Sequence, residues 1–123
     1  MKRLSSILSL FAAVSLGCAA AAEKPLDYHA DIAPLLRQYC AGCHNDDDFE
    51  GDFSVERYAD IEEGGSHVML RPGKPEDSYL VKVMTGDVSE PMPPKDEPQP
   101  SEEEVSQFTR WIREGAKGPA DDI

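Results

Sequence analysis

The chain has 123 residues, a length that suits one domain and leaves no room for two. It carries 12 lysine and arginine residues against 24 aspartates and glutamates, and its formal net charge of −12 makes nucleic acid an improbable partner, because phosphate binding needs clustered basic side chains. Aromatic residues make up only 7% of the chain, while glycines number 9 and prolines 10, which predicts a small core with many loops.

The N-terminus has the pattern of a secretory signal peptide. Lys2-Arg3 precedes an apolar run from Leu4 to Leu16, and Ala20-Ala21-Ala22 offers a cleavage site of small residues. The run is too short and too weakly apolar for a secure membrane span. We therefore predict a signal peptide over residues 1–22 and a single exported, periplasmic domain over residues 23–123. Loss of the two basic residues leaves that domain with 10 basic and 24 acidic side chains.

Cys18 opens a second possibility for the leader. The sequence Ser15-Leu16-Gly17-Cys18 resembles a bacterial lipoprotein box imperfectly, because a serine stands three residues before the cysteine, where an aliphatic residue is usual. A lipid on Cys18 would tether the exported protein to a membrane. The intact mass of the exported protein distinguishes the two outcomes.

The first helix of the predicted domain runs from Asp31 to Tyr39. Asp31 is a suitable N-cap, and Pro34 is tolerated because it falls in the first turn. The apolar residues recur at i, i+3, i+4 and i+7, which places them on one helix face: Ile32, Leu35, Leu36 and Tyr39. This helix leads directly into Cys40.

Cys40-Ala41-Gly42-Cys43-His44 is the most specific motif in the chain. Its Cys-x-x-Cys-His spacing is that of a c-type haem attachment site. Two thiols at this spacing can bond the two vinyl groups of one porphyrin, and the histidine that follows can ligate the iron from the proximal side. We predict one covalently bound haem c, with thioether bonds to Cys40 and Cys43 and with His44 as the proximal ligand.

Two other uses of a Cys-x-x-Cys pair compete with haem. A zinc site needs more ligands, and since the remaining cysteine lies in the leader, they would have to be His29 and His67. A redox dithiol is expected in a βαβ context, which this sequence does not show. Both alternatives are weaker than the haem interpretation.

An acidic loop and a short helix are predicted after the motif. Residues 45–52 include five carboxylates and are expected to form a solvated loop. Arg57 stands where a calcium-binding loop would place its bidentate glutamate, which disfavours calcium there. Ser54 can cap a helix from Val55 to about Glu63, and Gly64-Gly65 should end it.

Two further helices complete the predicted fold. Residues 71–75 have the composition of a turn, and Pro75 is well placed to begin a helix over residues 75–85. Ser101-Glu102-Glu103-Glu104 is a capping box that should start a closing helix over residues 102–114. We expect an all-α fold of three to four helices wrapped around one haem.

The sixth ligand of the iron decides what such a haem does. Met69 lies in an apolar triplet and Met84 in a helical stripe, so both are expected in the core, while His29 and His67 have polar neighbours typical of a surface. Met92 lies in the proline-rich segment Glu90–Lys95, which has no helical or strand pattern that would bury it. Prolines restrict the unfolded loop, so holding this methionine at the iron costs less entropy. We predict Met92 as the distal ligand.

Four segments of the chain resemble the planctomycete-type cytochrome c domain, a group that is similar to class I cytochromes c. They are DIAPLLRQYCAGCH, RPGKPEDSYL, EPMPPK and SEEEVSQFTRWIREGA. The resemblance covers about residues 27–117 and implies a small all-α fold around one haem, with His44 proximal and Met92 distal. The acidic stretch after His44 is denser than expected of the family, and such domains often precede larger modules.

A His/Met-ligated iron indicates an electron carrier rather than an enzyme. A thioether is soft and neutral, so it favours ferrous iron, and a filled sixth position leaves no place for oxygen or peroxide. The alternatives are a haem subunit or peroxidase-like enzyme and a haem-based sensor, each with a displaceable sixth ligand. Carbon monoxide should bind readily to either alternative and poorly to the carrier.

The charge of the domain predicts the kind of partner it meets. A strongly acidic carrier is expected to dock on a redox protein with a basic surface, because opposite fields raise encounter rates. Arg71, Lys74 and Lys95 could pair with haem propionates, although solvated turn residues are the more ordinary role for them. Since the apolar residues are few, we also expect the protein without haem to be largely unfolded.

Overall fold

The computed structural model describes residues 9–17 and 23–119. These residues form helices and no strand, which confirms the predicted all-α class with four α-helices: α1 (Ala33–Tyr39), α2 (Tyr58–Glu63), α3 (Tyr79–Thr85) and α4 (Glu102–Arg113). Most of the predicted signal peptide, with Cys18, lies outside the described residues. In the described part of the chain, no helix is long and apolar enough to cross a membrane.

The core lies where α4 packs against the N-terminal helical segment. Trp111 is 1% exposed, and its ring lies 5.9 Å from that of Tyr28 and 6.3 Å from that of Tyr58. The indole N–H of Trp111 donates to the Lys117 carbonyl at 3.1 Å, so the one polar atom of this side chain is satisfied. Five more large apolar side chains are fully buried: Phe108, Ile32, Leu36, Ile61 and Ile112.

The N-terminal helix begins earlier than predicted. A π-helical turn over Tyr28–Ile32 runs directly into α1, so the predicted N-cap, Asp31, lies inside the helical segment. The cap is Asp27, whose carboxylate accepts from the Ala30 amide at 2.8 Å, while the Asp31 carboxylate accepts from the Asp27 amide at 2.7 Å. These reciprocal bonds satisfy amides at the start of the helical segment, which therefore begins four residues before the predicted cap.

The second helix begins later than predicted, at Tyr58 rather than Val55. Ser54 does not cap it, because its hydroxyl accepts from the Glu56 amide at 3.3 Å in a separate turn. Val55 is buried in an extended segment, and its amide donates to the His44 carbonyl at 2.9 Å. A long-range bond to the motif therefore replaces the first helical turn. The predicted end is confirmed at Gly64, which has φ +70°.

The helix predicted over residues 75–85 is interrupted at Ser78, a residue that the sequence analysis did not identify. A 3₁₀ turn over Pro75–Asp77 is separated from α3 by Ser78, which is fully buried. The Ser78 hydroxyl accepts from the Arg71 amide at 2.8 Å and donates to the Lys74 carbonyl at 2.9 Å. Its loss would leave a buried amide without a partner, at a cost of about 1–3 kcal/mol. The hydroxyl thus fixes the turn that leads into α3.

The capping box of α4 is confirmed. The Ser101 hydroxyl accepts from the Glu104 amide at 3.1 Å, and the Glu104 carboxylate accepts from the Ser101 amide at 2.8 Å. The same carboxylate accepts from the Tyr39 hydroxyl at 2.8 Å. These bonds lower the pKa of Glu104, and the bond to the carboxylate raises the pKa of Tyr39. The start of α4 is thereby tied to the end of α1, next to Cys40.

Candidate haem-binding site

The Cys-x-x-Cys-His motif continues from α1 as a tight turn. The Cys40 amide donates to the Leu36 carbonyl at 2.9 Å, and the His44 amide donates to the Cys40 carbonyl at 3.0 Å. Cys40 is partly buried and Cys43 is exposed. The turn therefore gathers two thiols and an imidazole at the end of one helix, with no other secondary structure between them.

His44 is oriented by a backbone acceptor. Its Nδ1 lies 2.8 Å from the Glu50 carbonyl oxygen, so this nitrogen carries the proton and Nε2 is left with its lone pair. A metal-ligating histidine commonly uses its second nitrogen in this way, which fixes the ring and raises the basicity of the ligand. No sequence pattern indicates this partner, because every residue has a carbonyl.

The Glu50 carbonyl is presented by an unusual stretch of backbone. Phe49 has φ +41°, Gly51 has φ +68° and Asp52 has φ +55°, all in the left-handed region. Two of the three are not glycine, so the conformation costs free energy that the surrounding bonds must offset. A Cβ on Gly51 would lie 3.8 Å from Cε1 of His44, so this backbone passes close beside the imidazole.

The acidic loop before this stretch is organised by an asparagine. The Asn45 side-chain oxygen accepts from the Asp48 amide at 2.8 Å and from the Asp47 amide at 3.0 Å. Among residues 9–17 and 23–119, no three His, Cys, Asp or Glu side chains are gathered to hold a metal ion. Neither a calcium loop nor a zinc set of the two cysteines with His29 and His67 is therefore assembled in this part of the chain.

Two adjoining cavities open beside His44, with volumes of about 210 and 310 Å³. We call them the paired cavities. They share five lining residues, namely Cys40, His44, Leu80, Val83 and Met92. The first extends to Phe53, Met69 and Tyr79, and the second extends to Cys43, Met84 and Pro93. Leu80 and Val83 are buried, so α3 gives the shared wall an apolar surface.

This lining fits a c-type haem. A flat apolar macrocycle bonded to the motif needs an apolar wall, a histidine with a free ring nitrogen and a second donor across the cavity. Val83 and Leu80 supply the wall, and His44 supplies the nitrogen. The lining of both cavities also includes Met92, whose side chain carries a thioether.

Met92 differs from the other described methionines in its position. Met69 lines the first cavity only and Met84 lines the second only, whereas Met92 lines both. The Met92 amide donates to the Val83 carbonyl at 2.9 Å, which fastens this residue to α3. The sequence predicted Met92 as the distal ligand, and the structure places it in the lining shared with His44.

Met92 lies in the segment Glu90–Pro100, which we call the proline loop. It contains no helix or strand, as predicted, and the Met92–Pro93 peptide bond is cis. The Gln99 side-chain amide donates to the Pro94 carbonyl at 2.8 Å and to the Pro93 carbonyl at 3.1 Å. The sequence analysis did not identify Gln99. Because prolines have no backbone N–H, a side-chain donor among them is the signal that could have identified it.

The remaining candidate ligands lie apart from the shared lining. His29 is exposed, stands edge-on to Tyr28 with 5.6 Å between the rings, and lines neither of the paired cavities. His67 is exposed and lines the first cavity only. Arg71, Lys74 and Lys95 are exposed and line neither cavity, so the structure does not bring these three cations to the site.

The environment of Cys40 favours a thioether over a thiolate. Burial raises the pKa of the Cys40 thiol to about 11. A zinc ligand and a reactive dithiol both require the thiolate, which this burial disfavours. A thioether carries no ionisable proton, so the same burial does not oppose a covalent bond to a haem vinyl group.

Comparison with known protein families finds one similarity, and it covers the candidate site. Residues 40–96, which include the motif, α2, α3 and Met92, match the family model described as Planctomycete cytochrome C. No curated protein and no solved structure matches the chain. The family implies haem c as the cofactor and electron transfer as the general function. The match over these residues supports a planctomycete-type cytochrome c domain.

Proposed function

We propose that this protein is an exported electron carrier with one haem c, bound by thioether bonds to Cys40 and Cys43 and ligated by His44 and Met92. The observation that carries the proposal is the lining shared by the paired cavities, which contains Cys40, His44 and Met92 at once. When bound, the haem would supply an iron that accepts and releases one electron. The family match supports the same class of function.

The residues around the cavities support rapid electron exchange without chemistry at the metal. The Glu50 carbonyl holds the His44 ring in one orientation, and the Val83 carbonyl holds the Met92 backbone. A ligand pair fixed from two sides changes little between oxidation states, which keeps the reorganisation energy of electron transfer low. A filled sixth position also excludes oxygen and peroxide.

Optical and redox measurements on the purified holoprotein test this function. We expect haem that stays with the polypeptide in a denaturing gel, a single one-electron transition, and the weak far-red band of methionine-ligated ferric haem. Carbon monoxide should bind poorly at neutral pH. Haem-free polypeptide would refute the proposal, and ready binding of carbon monoxide would favour the enzyme or the gas sensor instead.

We further propose that the carrier docks on a basic partner. The acidic side chains Glu50, Glu90 and Glu97 line the paired cavities, and among the described residues no lysine or arginine does so. A negative field around the site favours encounter with a basic surface. Oxidation by a small cationic reagent should therefore be slowed by added salt, and oxidation by an anionic reagent accelerated. The same salt response with both reagents would contradict the proposal.

Export is proposed from the leader sequence, with cleavage after Ala22 as the main route and a lipid on Cys18 as the alternative. The exported form should begin at Glu23 by intact-mass analysis, with the mass of one haem added. A diacylglycerol and acyl mass on a chain beginning at Cys18 would instead indicate a tethered carrier.

A further inference from the structure

His67 lies at the first of the paired cavities with its ring held flat against another ring. The imidazole stacks on Tyr79 with centroids 3.8 Å apart and an angle of 15° between the planes. Both residues line the cavity that also contains His44 and Met92, and Ser66 lies beside them in the same lining. His67 is exposed, so burial does not account for the stacked geometry.

The segment that carries His67 is packed closely against the segment that orients His44. A Cβ on Gly65 would lie 2.8 Å from the Gly51 carbonyl oxygen and 3.0 Å from the Asp52 carbonyl oxygen. A Cβ on Gly64, at φ +70°, would lie 2.6 Å from the His67 carbonyl oxygen. Only glycines allow this approach, so the backbone fixes His67 on the side of the cavity next to the Glu50–Asp52 turn.

The other end of the segment is fixed as well. The Tyr79 amide donates to the Val68 carbonyl at 3.1 Å, and the Leu80 amide donates to the Met69 carbonyl at 3.2 Å. The residues directly after His67 are thereby joined to the first turn of α3, where Tyr79 lies. The position of the stacked His67 and Tyr79 rings is consequently fixed by backbone contacts on both sides of His67, and not by the ring contact alone.

A haem in this site would bring two carboxylates to a lining that is already acidic. Glu90 lines the first cavity, and the cations that could have paired with propionates lie elsewhere. Of the described residues in that lining, His67 and Ser66 are the exposed ones with a side-chain donor, and His67 alone of these two can carry a positive charge. A protonated imidazole on a tyrosine face is further stabilised by the ring.

We propose that His67, held by Tyr79, is the carboxylate-binding residue for a haem propionate and couples the reduction potential to pH. The inference rests on the proposed haem site. Protonated His67 disfavours further positive charge on the iron, so the potential is higher with His67 protonated than with His67 neutral. The titratable groups on the surrounding elements are Asp52, Glu63, Tyr79 and Glu90, and the iron ligand His44.

The test compares reduction potentials at about pH 5 and about pH 9, on either side of the ordinary histidine pKa. In the unaltered holoprotein, the potential should be higher at the lower pH. His67→Gln should lose that difference and stay at the low value, and His67→Arg should lose it and stay at the high value. His29→Gln is the matched control, since His29 is exposed and lines neither cavity, and should keep the difference.

Optical spectra of each variant separate this inference from the proposed function. His67→Gln could retain covalent haem, the methionine band and the difference in potential between the two pH values. That result would overturn the role of His67 and leave the proposed function standing. A reduced potential in both His67→Gln and His67→Arg would show a structural effect and would overturn it too. Absence of haem from the unaltered protein would overturn both proposals.

Discussion

Replacing Met92 with alanine should abolish the far-red band of the ferric protein and lower its reduction potential. The variant loses a neutral, soft ligand that favours ferrous iron, and water or an added ligand can then reach the sixth position. Axial ligation spans about 0.8 V among haem proteins, and we expect a fall on the order of 0.1 V here. Carbon monoxide, which should bind poorly to the unaltered protein, should bind readily to the variant.

Met84→Ala is the matched control for this experiment. Met84 is partly buried on α3 and lines only the second of the paired cavities, so its loss removes a similar side chain near the same site. We expect this variant to keep the band and nearly all of the potential. If Met84→Ala loses the band while Met92→Ala keeps it, the assignment of the distal ligand is wrong.

The double variant Cys40→Ala, Cys43→Ala should lose covalent haem and most of its helical structure. Phe53, Leu80 and Val83 are buried residues that line the paired cavities, and without a macrocycle their free surfaces there meet only water. Full burial of an apolar side chain of this size contributes about 1.5–3 kcal/mol, and loss of the macrocycle forfeits a part of this at each wall residue, against a total stability of about 5–15 kcal/mol. Far-ultraviolet circular dichroism and a haem stain after denaturing electrophoresis measure the two losses.

Cys43→Ala alone gives the graded comparison. Cys43 is exposed and Cys40 is partly buried, so this variant keeps the thioether nearest the core and should retain haem with reduced stability. Native-like helicity in the double variant would contradict the prediction. It would show that the core between α4 and the N-terminal helical segment, built around Trp111, folds without the cofactor.

Two short-range signals in the sequence predicted the fold correctly. The capping box at Ser101 and Glu104 forms as predicted, because both of its hydrogen bonds join residues three apart. The predicted end of the third helix at residue 85 is also confirmed, because α3 ends at Thr85 and Gly86 follows it with φ +81°. Two other predictions failed where a partner outside the helix competed. The Val55 amide bonds to the His44 carbonyl instead of beginning a helix, and Ser78 turns inward to Arg71 and Lys74.

For the candidate site too, some features follow from the sequence and others only from the folded structure. The sequence by itself determined the haem motif, since Cys40, Cys43 and His44 are adjacent and their chemistry depends on spacing alone. It also isolated Met92, because prolines exclude the regular structures that would otherwise explain that residue. The family match over residues 40–96 agrees with the haem interpretation of the motif.

Only the tertiary structure decided how these residues are held. The Glu50 carbonyl that orients His44 has no signature in the sequence, because a backbone acceptor is common to all residues and its direction depends on three left-handed positions. The stack of His67 on Tyr79 joins residues that no local pattern relates. Spacing along the chain is fixed by covalent geometry, whereas the approach of distant segments depends on packing that only the folded molecule contains.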